Sequence, residues 1–126
     1  GDIVLGRRGE MGRAGVASAH HAGLLCGTGS LILRPKAADS TFLHAVVTSP
    51  RMKGHLERSS LGATLPNLNA AIVKDSPAPN TPLEGQRAFA SRVHALQMQR
   101  GNLHRVLSMD AQLFASLQWR ALRGEL

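Results

Sequence analysis

The feature that most constrains the fold is a heptad-like pattern in the last third of the chain. Apolar residues recur there at alternating steps of four and three, and Arg100 and Asp110 occupy two positions of the same row. A helix over 82–122 would be roughly 60 Å long, which is too long to bury this row on a small domain, so it needs a partner helix. The predicted helix-pairing residues are Phe89, Val93, Leu96, Leu103, Leu107, Phe114 and Leu117.

Recognisable start and stop signals flank this helix. The run Thr81-Pro82-Leu83-Glu84 predicts a capping box with proline at the first helical position, and Gly124 predicts the end. Gly101 weakens the middle of the helix by about 1 kcal/mol relative to alanine. The alternative is therefore a helix that folds back on itself at Gly101.

The first 35 residues are too rich in glycine for a helix and predict short strands. Apolar runs at 3–5, 14–17 and 31–33 are the strand candidates, with glycine-containing turns between them. Because residues 1–5 read as the middle of a strand, we expect a preceding part of this domain to be missing from the chain.

Residues 39–60 change to helical spacing, with Phe42 and Val46 on one apolar face. Pro50 must interrupt this helix, and Ser49 before it predicts the N-cap of a second short helix that Gly62 ends. Prolines and asparagines over 61–81 predict a connector, in which 70–73 forms a short strand or a helical turn.

The fold predicted from these patterns is α+β. A small β-rich domain with short helices occupies 1–76, a linker covers 77–81, and a long coiled-coil-like helix occupies 82–126. Hydrophobic residues make up 43% of the chain, enough for one modest core. With three Phe, one Trp and no Tyr, that core depends on aliphatic side chains.

Charge and composition restrict the function. Of the net charge of +7, 1–38 and 81–126 carry +3 each and 39–80 carries +1. A basic surface favours a polyanion such as nucleic acid, although a merely soluble basic domain is the alternative. The scarcity of aromatic side chains argues against a single-strand binder, which needs stacking platforms. One cysteine, no apolar run of membrane-spanning length and no signal-peptide pattern predict a cytoplasmic protein without a membrane partner.

Two segments carry candidate DNA-contacting residues. The Gly-rich turn 6–13 holds Arg7, Arg8 and Arg13, whose guanidinium groups can fork onto phosphate or onto guanine. The loop 64–69 holds Thr64, Asn67 and Asn69, and asparagine can bond adenine through two atoms. An exposed basic hairpin and an ordinary asparagine turn are the alternatives.

No pattern of catalytic residues is present. The serines stand outside a Gly-x-Ser-x-Gly elbow, and the few acids show no pairing for general acid–base work, so we predict a protein that is not an enzyme and needs no cofactor. His20, His21 and Cys26 are too few for a closed zinc site, and we predict no metal. Cys26 is better interpreted as a small buried hydrophobe.

Five segments, in order, resemble the DNA specificity subunits of type I restriction–modification systems. The resemblance covers nearly the whole chain, and its strength lies in the order and spacing of the fragments. The segments are 1–13 (GDIVLGRRGEMGR), 26–35 (CGTGSLILRP), 42–69 with its FL, SP and GATLPNLN fragments, 82–87 (PLEGQR) and 113–126 (LFASLQWRALRGEL).

The resemblance implies a target-recognition domain followed by a conserved helix. In that family the helices pair antiparallel, each recognition domain reads one half of a split double-stranded DNA target, the helices hold the methyltransferase (modification) subunits, and the restriction subunit joins that core. The implied function is sequence-specific DNA recognition, with self-association through the long helix as a further partner. Two alternatives remain: a truncated helical assembly module that binds the methyltransferase subunit or itself without reading DNA, and a small metal-dependent nuclease.

Overall fold

A computed structural model of the chain describes residues 1–9, 11–60 and 67–126. The chain divides into two units, 1–90 and 91–126. A small sheet and several helices confirm the predicted α+β class. The elements of the described part are β1 Ile3–Gly6, β2 Ala14–Val16, a 3₁₀ turn Ala19–His21, β3 Ser30–Leu33, α1 Ser40–Val47, α2 Pro50–Ser59, α3 Ala70–Lys74 and α4 Leu83–Leu122.

The three strands form an antiparallel sheet in the order β2-β1-β3. Ile3 lies between Val16 and Leu33, and the register continues one residue at a time along both neighbours. Ile3 and Leu5 are fully buried whereas Val4 between them is only partly covered. This period of two is that of a strand with one face on a core, and the strand predicted at 3–5 is confirmed.

An ion pair joins the start of β1 to the end of β3, which lie side by side in the antiparallel sheet. The guanidinium of Arg34, just after β3, donates from Nε and Nη2 to the carboxylate of Asp2, just before β1, at 3.0 and 2.7 Å. These hydrogen bonds from Arg34 hold the pKa of Asp2 below its ordinary value. Arg34 is mostly exposed, so the pair adds register specificity more than stability.

The two short helices begin where side-chain caps are available. Asp39 accepts from the amides of Thr41 and Phe42 and starts α1. Ser49 accepts from the amide of Met52 and precedes Pro50, so the predicted cap and first position of α2 are confirmed. The predicted terminator Gly62 lies outside the described residues.

The core of the first unit lies between the sheet and α2. It combines residues from β1, from the turn after it, from α2 and from the segment before α3. Its buried members are Leu5, Met11, Met52, Leu56 and Leu68.

Helix α4 runs without interruption for 40 residues, so the alternative of a fold-back at Gly101 is wrong. Its end is fixed by Gly124, which has a φ of 70°. The Gly124 amide donates to the carbonyl of Ala121, and the Glu125 amide donates to that of Arg120. This is a Schellman motif, in which glycine supplies the left-handed residue that ends a helix.

The start of α4 is held differently from the prediction. Gln86, rather than Glu84, makes the side-chain hydrogen bonds found there in the described part of the chain. Its amide Nε2 donates to the carbonyl of Thr81, and its Oε1 accepts from the backbone amide of Asp39. Gln86 is buried, so one side chain joins the first turn of α4 to the cap of α1.

Within the described ranges, the apolar stretches of the helices fall short of what crossing a bilayer requires.

Candidate functional site

The turn between β1 and β2 carries the three candidate arginines and is fixed to the domain at several points. Gly6 donates its amide to the carbonyl of Arg13 across the base of the turn. Met11 extends from the turn into the core and is 4% exposed. Gly12 has a φ of 76° and lies against Lys53 of α2, where an added Cβ would be 3.3 Å from the Lys53 Cβ. Gly6, Met11, Gly12 and Arg13 therefore fix both ends of the turn to the rest of the first unit.

Arg7 belongs to this fixation. Its amide donates to the carbonyl of Gly29 and its carbonyl accepts from the amide of Leu68. Its guanidinium Nε then donates to the carbonyl of Leu68 at 2.7 Å, and Nη1 lies 3.5 Å from the carbonyl of Thr28. Arg7 is half-buried and joins three separate segments of the first unit. Its side chain is thus partly committed to the protein itself.

Arg8 and Arg13 are in a different position. Both side chains are exposed, and neither has a hydrogen-bond or ion-pair partner among the residues that the structure describes. They lie near the two ends of one short turn, whose ends are hydrogen-bonded to each other. The two ends of the turn therefore each present a cationic side chain to solvent, which is a suitable arrangement for phosphate oxygens.

The asparagine loop is only partly a candidate contact surface. Asn69 is exposed, but its side-chain oxygen accepts from the amide of Ile72 and caps α3. Asn67 is half-buried, and its Oδ1 is buried without a hydrogen-bond partner among the described residues. Thr64 lies outside the described residues. The alternative interpretation of Asn69 as an ordinary turn residue thus explains the role of its side-chain oxygen. Asn69 is nevertheless exposed, so its side-chain NH₂ group can still contact a partner.

The predicted pairing residues of α4 that belong to the second unit are largely exposed. Leu96, Leu103, Leu107 and Phe114 have 62–65% of their surface open to solvent, and Leu117 has 39%. Val93 is half-buried. The same row begins in the first unit with Phe89, whose ring meets that of Phe42 edge to face at 5.7 Å. Phe89 therefore has a partner in α1, whereas the others present an apolar row to solvent.

A second apolar row on α4 escaped the sequence analysis. Met98, Val106, Met109 and Leu113 are each 52–61% exposed and lie beside the first row. At about 100° per residue, the apolar side chains from 103 to 117 together cover an arc of roughly 160°. A two-helix seam needs less than this, so the second half of α4 has apolar surface for more than one neighbour. Counting apolar residues at steps of three and four from Val106 could have revealed the row.

A cleft of about 660 Å³ in the first unit was also not predicted. Phe42 and Phe89 contribute to its apolar lining, Arg51 and Arg58 contribute positive charge, and Pro77 forms part of its wall. Its lining comes from helices α1 and α2, the connector and the start of α4, which are far apart in the sequence. Sequence patterns alone carry no signal for such an assembly.

The three candidate metal ligands, His20, His21 and Cys26, do not form a cluster. Across 1–9, 11–60 and 67–126, no group of three metal-binding side chains comes together. His21 Nδ1 lies 2.8 Å from the Ser18 hydroxyl, and Cys26 is exposed. The interpretation of Cys26 as a buried hydrophobe is therefore wrong, because the loop 22–29 lies open to solvent and offers it no apolar enclosure.

Comparison of the chain with protein-family models, with curated proteins and with solved structures finds no match in any of the three.

Proposed function

We propose that this chain is a DNA-recognition and assembly subunit of the type I specificity class, which contacts double-stranded DNA through the β1–β2 turn and its partner subunits through α4. The observation that carries the proposal is the exposure of Arg8 and Arg13 on an anchored turn. Cations of this kind neutralise phosphates and release counterions, which drives DNA binding and makes it salt-dependent. The resemblance of the sequence to that class supports the same proposal.

The division of roles among the three arginines sharpens the proposal. Arg7 positions the turn, because its Nε is bound to the carbonyl of Leu68. Arg8 and Arg13 contact the DNA. Asn67 and Asn69 flank Leu68, which hydrogen-bonds to Arg7, and they extend the contact surface.

The exposed rows of α4 supply the assembly function. One row is suited to pairing with another helix, and the second, around Val106, Met109 and Leu113, provides surface for a methyltransferase subunit. Apolar side chains exposed along so much of a helix are costly unless a partner covers them, at about 25 cal/mol for each Å² left in water.

The test is DNA binding by the full chain, co-purified with its methyltransferase subunit, at two salt concentrations. Arg8→Ala and Arg13→Ala should each weaken binding and reduce the slope of log affinity against log salt by about one. A base contact should cost about 1–3 kcal/mol and relax one position of the target. Arg105→Ala is the matched control, since it removes an equal charge from α4. Unchanged affinity and slope in both turn variants would refute the assignment.

A second function is favoured by one observation. Because the Nε of Arg7 is bound to the Leu68 carbonyl, only two of the three arginines are fully available, which is a small cationic surface for sequence-specific binding. In this alternative the chain is a helical assembly module that ignores DNA. A stable complex with the methyltransferase subunit, without salt-dependent DNA affinity, would establish it.

A further inference from the structure

The cleft beside Phe42 and Phe89 in the first unit combines an apolar interior with a cationic edge. Its volume is about 660 Å³, which is within the range of sites that enclose a small organic molecule, roughly 300–1,000 Å³. Val46, Met52 and the edge-to-face rings of the two phenylalanines supply the apolar surface. Phe89 is 38% exposed, so part of its ring stays open to a molecule in the cleft that it lines.

Helix α2 supplies the cationic edge. Arg51, His55 and Arg58 line the cleft and follow one another at steps of four and three residues, so they lie on one face of the helix. Nη1 of Arg58 lies 3.3 Å from the position that a Cβ of Gly54 would occupy, so the Arg58 side chain folds back along α2 towards Arg51. Gly54 is about 4.5 Å from Arg51 along the helix axis, a distance over which two arginine side chains can share one anionic group.

This cationic edge has no counter-charge among the described residues. Aspartate and glutamate are absent from the described residues that line the cleft, and Arg51 and Arg58 make no ion pair within the part of the chain that the structure describes. The hydroxyl of Ser49, at the same cleft, is already bound to the Val46 carbonyl and to the Met52 amide. The charges that stay available at the cleft are therefore positive, which favours an anion.

We propose that the cleft binds a small amphipathic anion, with an apolar body of naphthalene size against the two phenylalanines and a single anionic group between Arg51 and Arg58. The arginines select the anionic group, because hydrogen bonds from charged donors are stronger than neutral ones. The rings select the body, because aromatic groups pack favourably edge to face. A free phosphate or a nucleic-acid backbone would use the arginines alone and leave the apolar surface in water, so it matches the cleft less well. The site lies within residues 1–90 and is independent of the DNA and assembly roles proposed above.

The probe is β-naphthoate, titrated into the full chain with isotope-labelled methionine methyl groups and followed by nuclear magnetic resonance. The four methionines separate the locations that the probe could occupy: Met52 lines the cleft, Met11 lies in the core, and Met98 and Met109 are exposed on α4. We expect a saturable shift of the Met52 signal at probe concentrations that leave the Met98 and Met109 signals unchanged. The neutral analogue β-naphthylmethanol and inorganic sulfate should each bind at least about tenfold more weakly, since each keeps only one of the two kinds of contact.

The exposed arginines of α2 can be replaced without disturbing the core. Arg51→Gln and Arg58→Gln should each weaken β-naphthoate binding about fivefold or more, and they should leave β-naphthylmethanol binding unchanged within about twofold. Lys74→Gln is the matched control, because Lys74 is also exposed and borders a neighbouring cleft of about 460 Å³ that shares Met52. All three variants should keep the urea midpoint of the native chain, since each replaced side chain is exposed.

Several results would overturn the proposal. Absence of a saturable Met52 shift would mean that the cleft binds no such anion, and equal affinity for β-naphthoate and its neutral analogue would mean an apolar cleft without charge selectivity. Displacement of β-naphthoate by an equal concentration of sulfate would mean a simple anion site. A shift confined to Met98 and Met109 would place the probe on the exposed rows of α4. A loss of affinity in Lys74→Gln equal to that in Arg51→Gln would place it in the neighbouring cleft.

Discussion

Replacement of Arg7 tests whether this arginine stabilises the fold, in contrast to the exposed Arg8 and Arg13. Arg7→Ala removes the hydrogen bond from Nε to the carbonyl of Leu68, which is 2.7 Å long. Leu68 is completely buried, so its carbonyl loses a charged donor at the edge of the core. The contact from Nη1 to Thr28 is 3.5 Å long and adds little.

The size of the effect follows from this one bond. A hydrogen bond from a charged donor contributes about 1.5–3 kcal/mol, and because Arg7 is only half-buried we expect a loss of about 1–2 kcal/mol in the free energy of unfolding. With a urea dependence of about 2 kcal/mol per molar, the midpoint of unfolding should fall by roughly 0.5–1 M. Arg8→Ala is the matched control, and its exposed side chain should change the free energy by less than about 0.5 kcal/mol.

The assay must report the unfolding of the first unit alone, because helix α4 dominates the far-ultraviolet circular dichroism signal of the chain. Hydrogen–deuterium exchange of peptides from 1–16 during urea unfolding meets this need, since β1 and β2 lie there. Equal midpoints for Arg7→Ala and Arg8→Ala would refute the reasoning, and Arg7 would then be a third solvent-facing cation.

Three further outcomes follow from the structure. Leu56→Ala should cost about 2–5 kcal/mol in unfolding free energy because Leu56 is fully buried in the core, whereas Leu25→Ala, 98% exposed, should change it by less than about 0.5 kcal/mol; urea titration distinguishes them. Gly12→Ala should cost about 1–2 kcal/mol because its φ of 76° is left-handed, and thermal unfolding measures this. Since the hydrogen bond from Arg34 lowers the pKa of Asp2, their pair stabilises the fold above the ordinary pKa of 3.8 and is lost as pH falls through the folded-state value. The stability difference between the native chain and Asp2→Asn should therefore shrink below pH 3.8, while it stays constant at higher pH.

Local signals in the sequence predicted the elements well. Ser49 followed by Pro50 marks a helix start within four residues, and Gly124 marks a helix end within the same distance, so both are legible without tertiary information. The heptad pattern of α4 is equally local, since each residue constrains those three and four positions away. The prediction of how α4 begins was less accurate, because Gln86 at its start is hydrogen-bonded to Asp39, which is 47 residues away in the sequence.

The candidate site mixes predictable and unpredictable parts. The Gly/Arg composition of the turn indicated where cations would be, but it gave the three arginines equal weight. What distinguishes Arg7 is a contact with Leu68, 61 residues further along the chain, and no spacing rule connects two such positions. The cleft beside Phe42 and Phe89 escaped for the same reason, because only the packing of α1 against the start of α4 brings the rings together.

The fixed arginine and the free arginines are physically linked. A flexible loop that binds DNA must lose conformational freedom when it binds, whereas the ends of this turn, held by Arg7 on Leu68 and by Met11 in the core, have lost that freedom during folding. Arg7→Ala should thus weaken DNA binding as well as stability, but through the ordering of the turn instead of through a phosphate contact. Its affinity should fall while the salt slope stays that of the native chain, whereas Arg8→Ala and Arg13→Ala should lower both. A salt slope reduced by Arg7→Ala as much as by Arg8→Ala would mean that the guanidinium leaves Leu68 to bind a phosphate, and the anchoring role would then belong to Met11 and the backbone bonds alone.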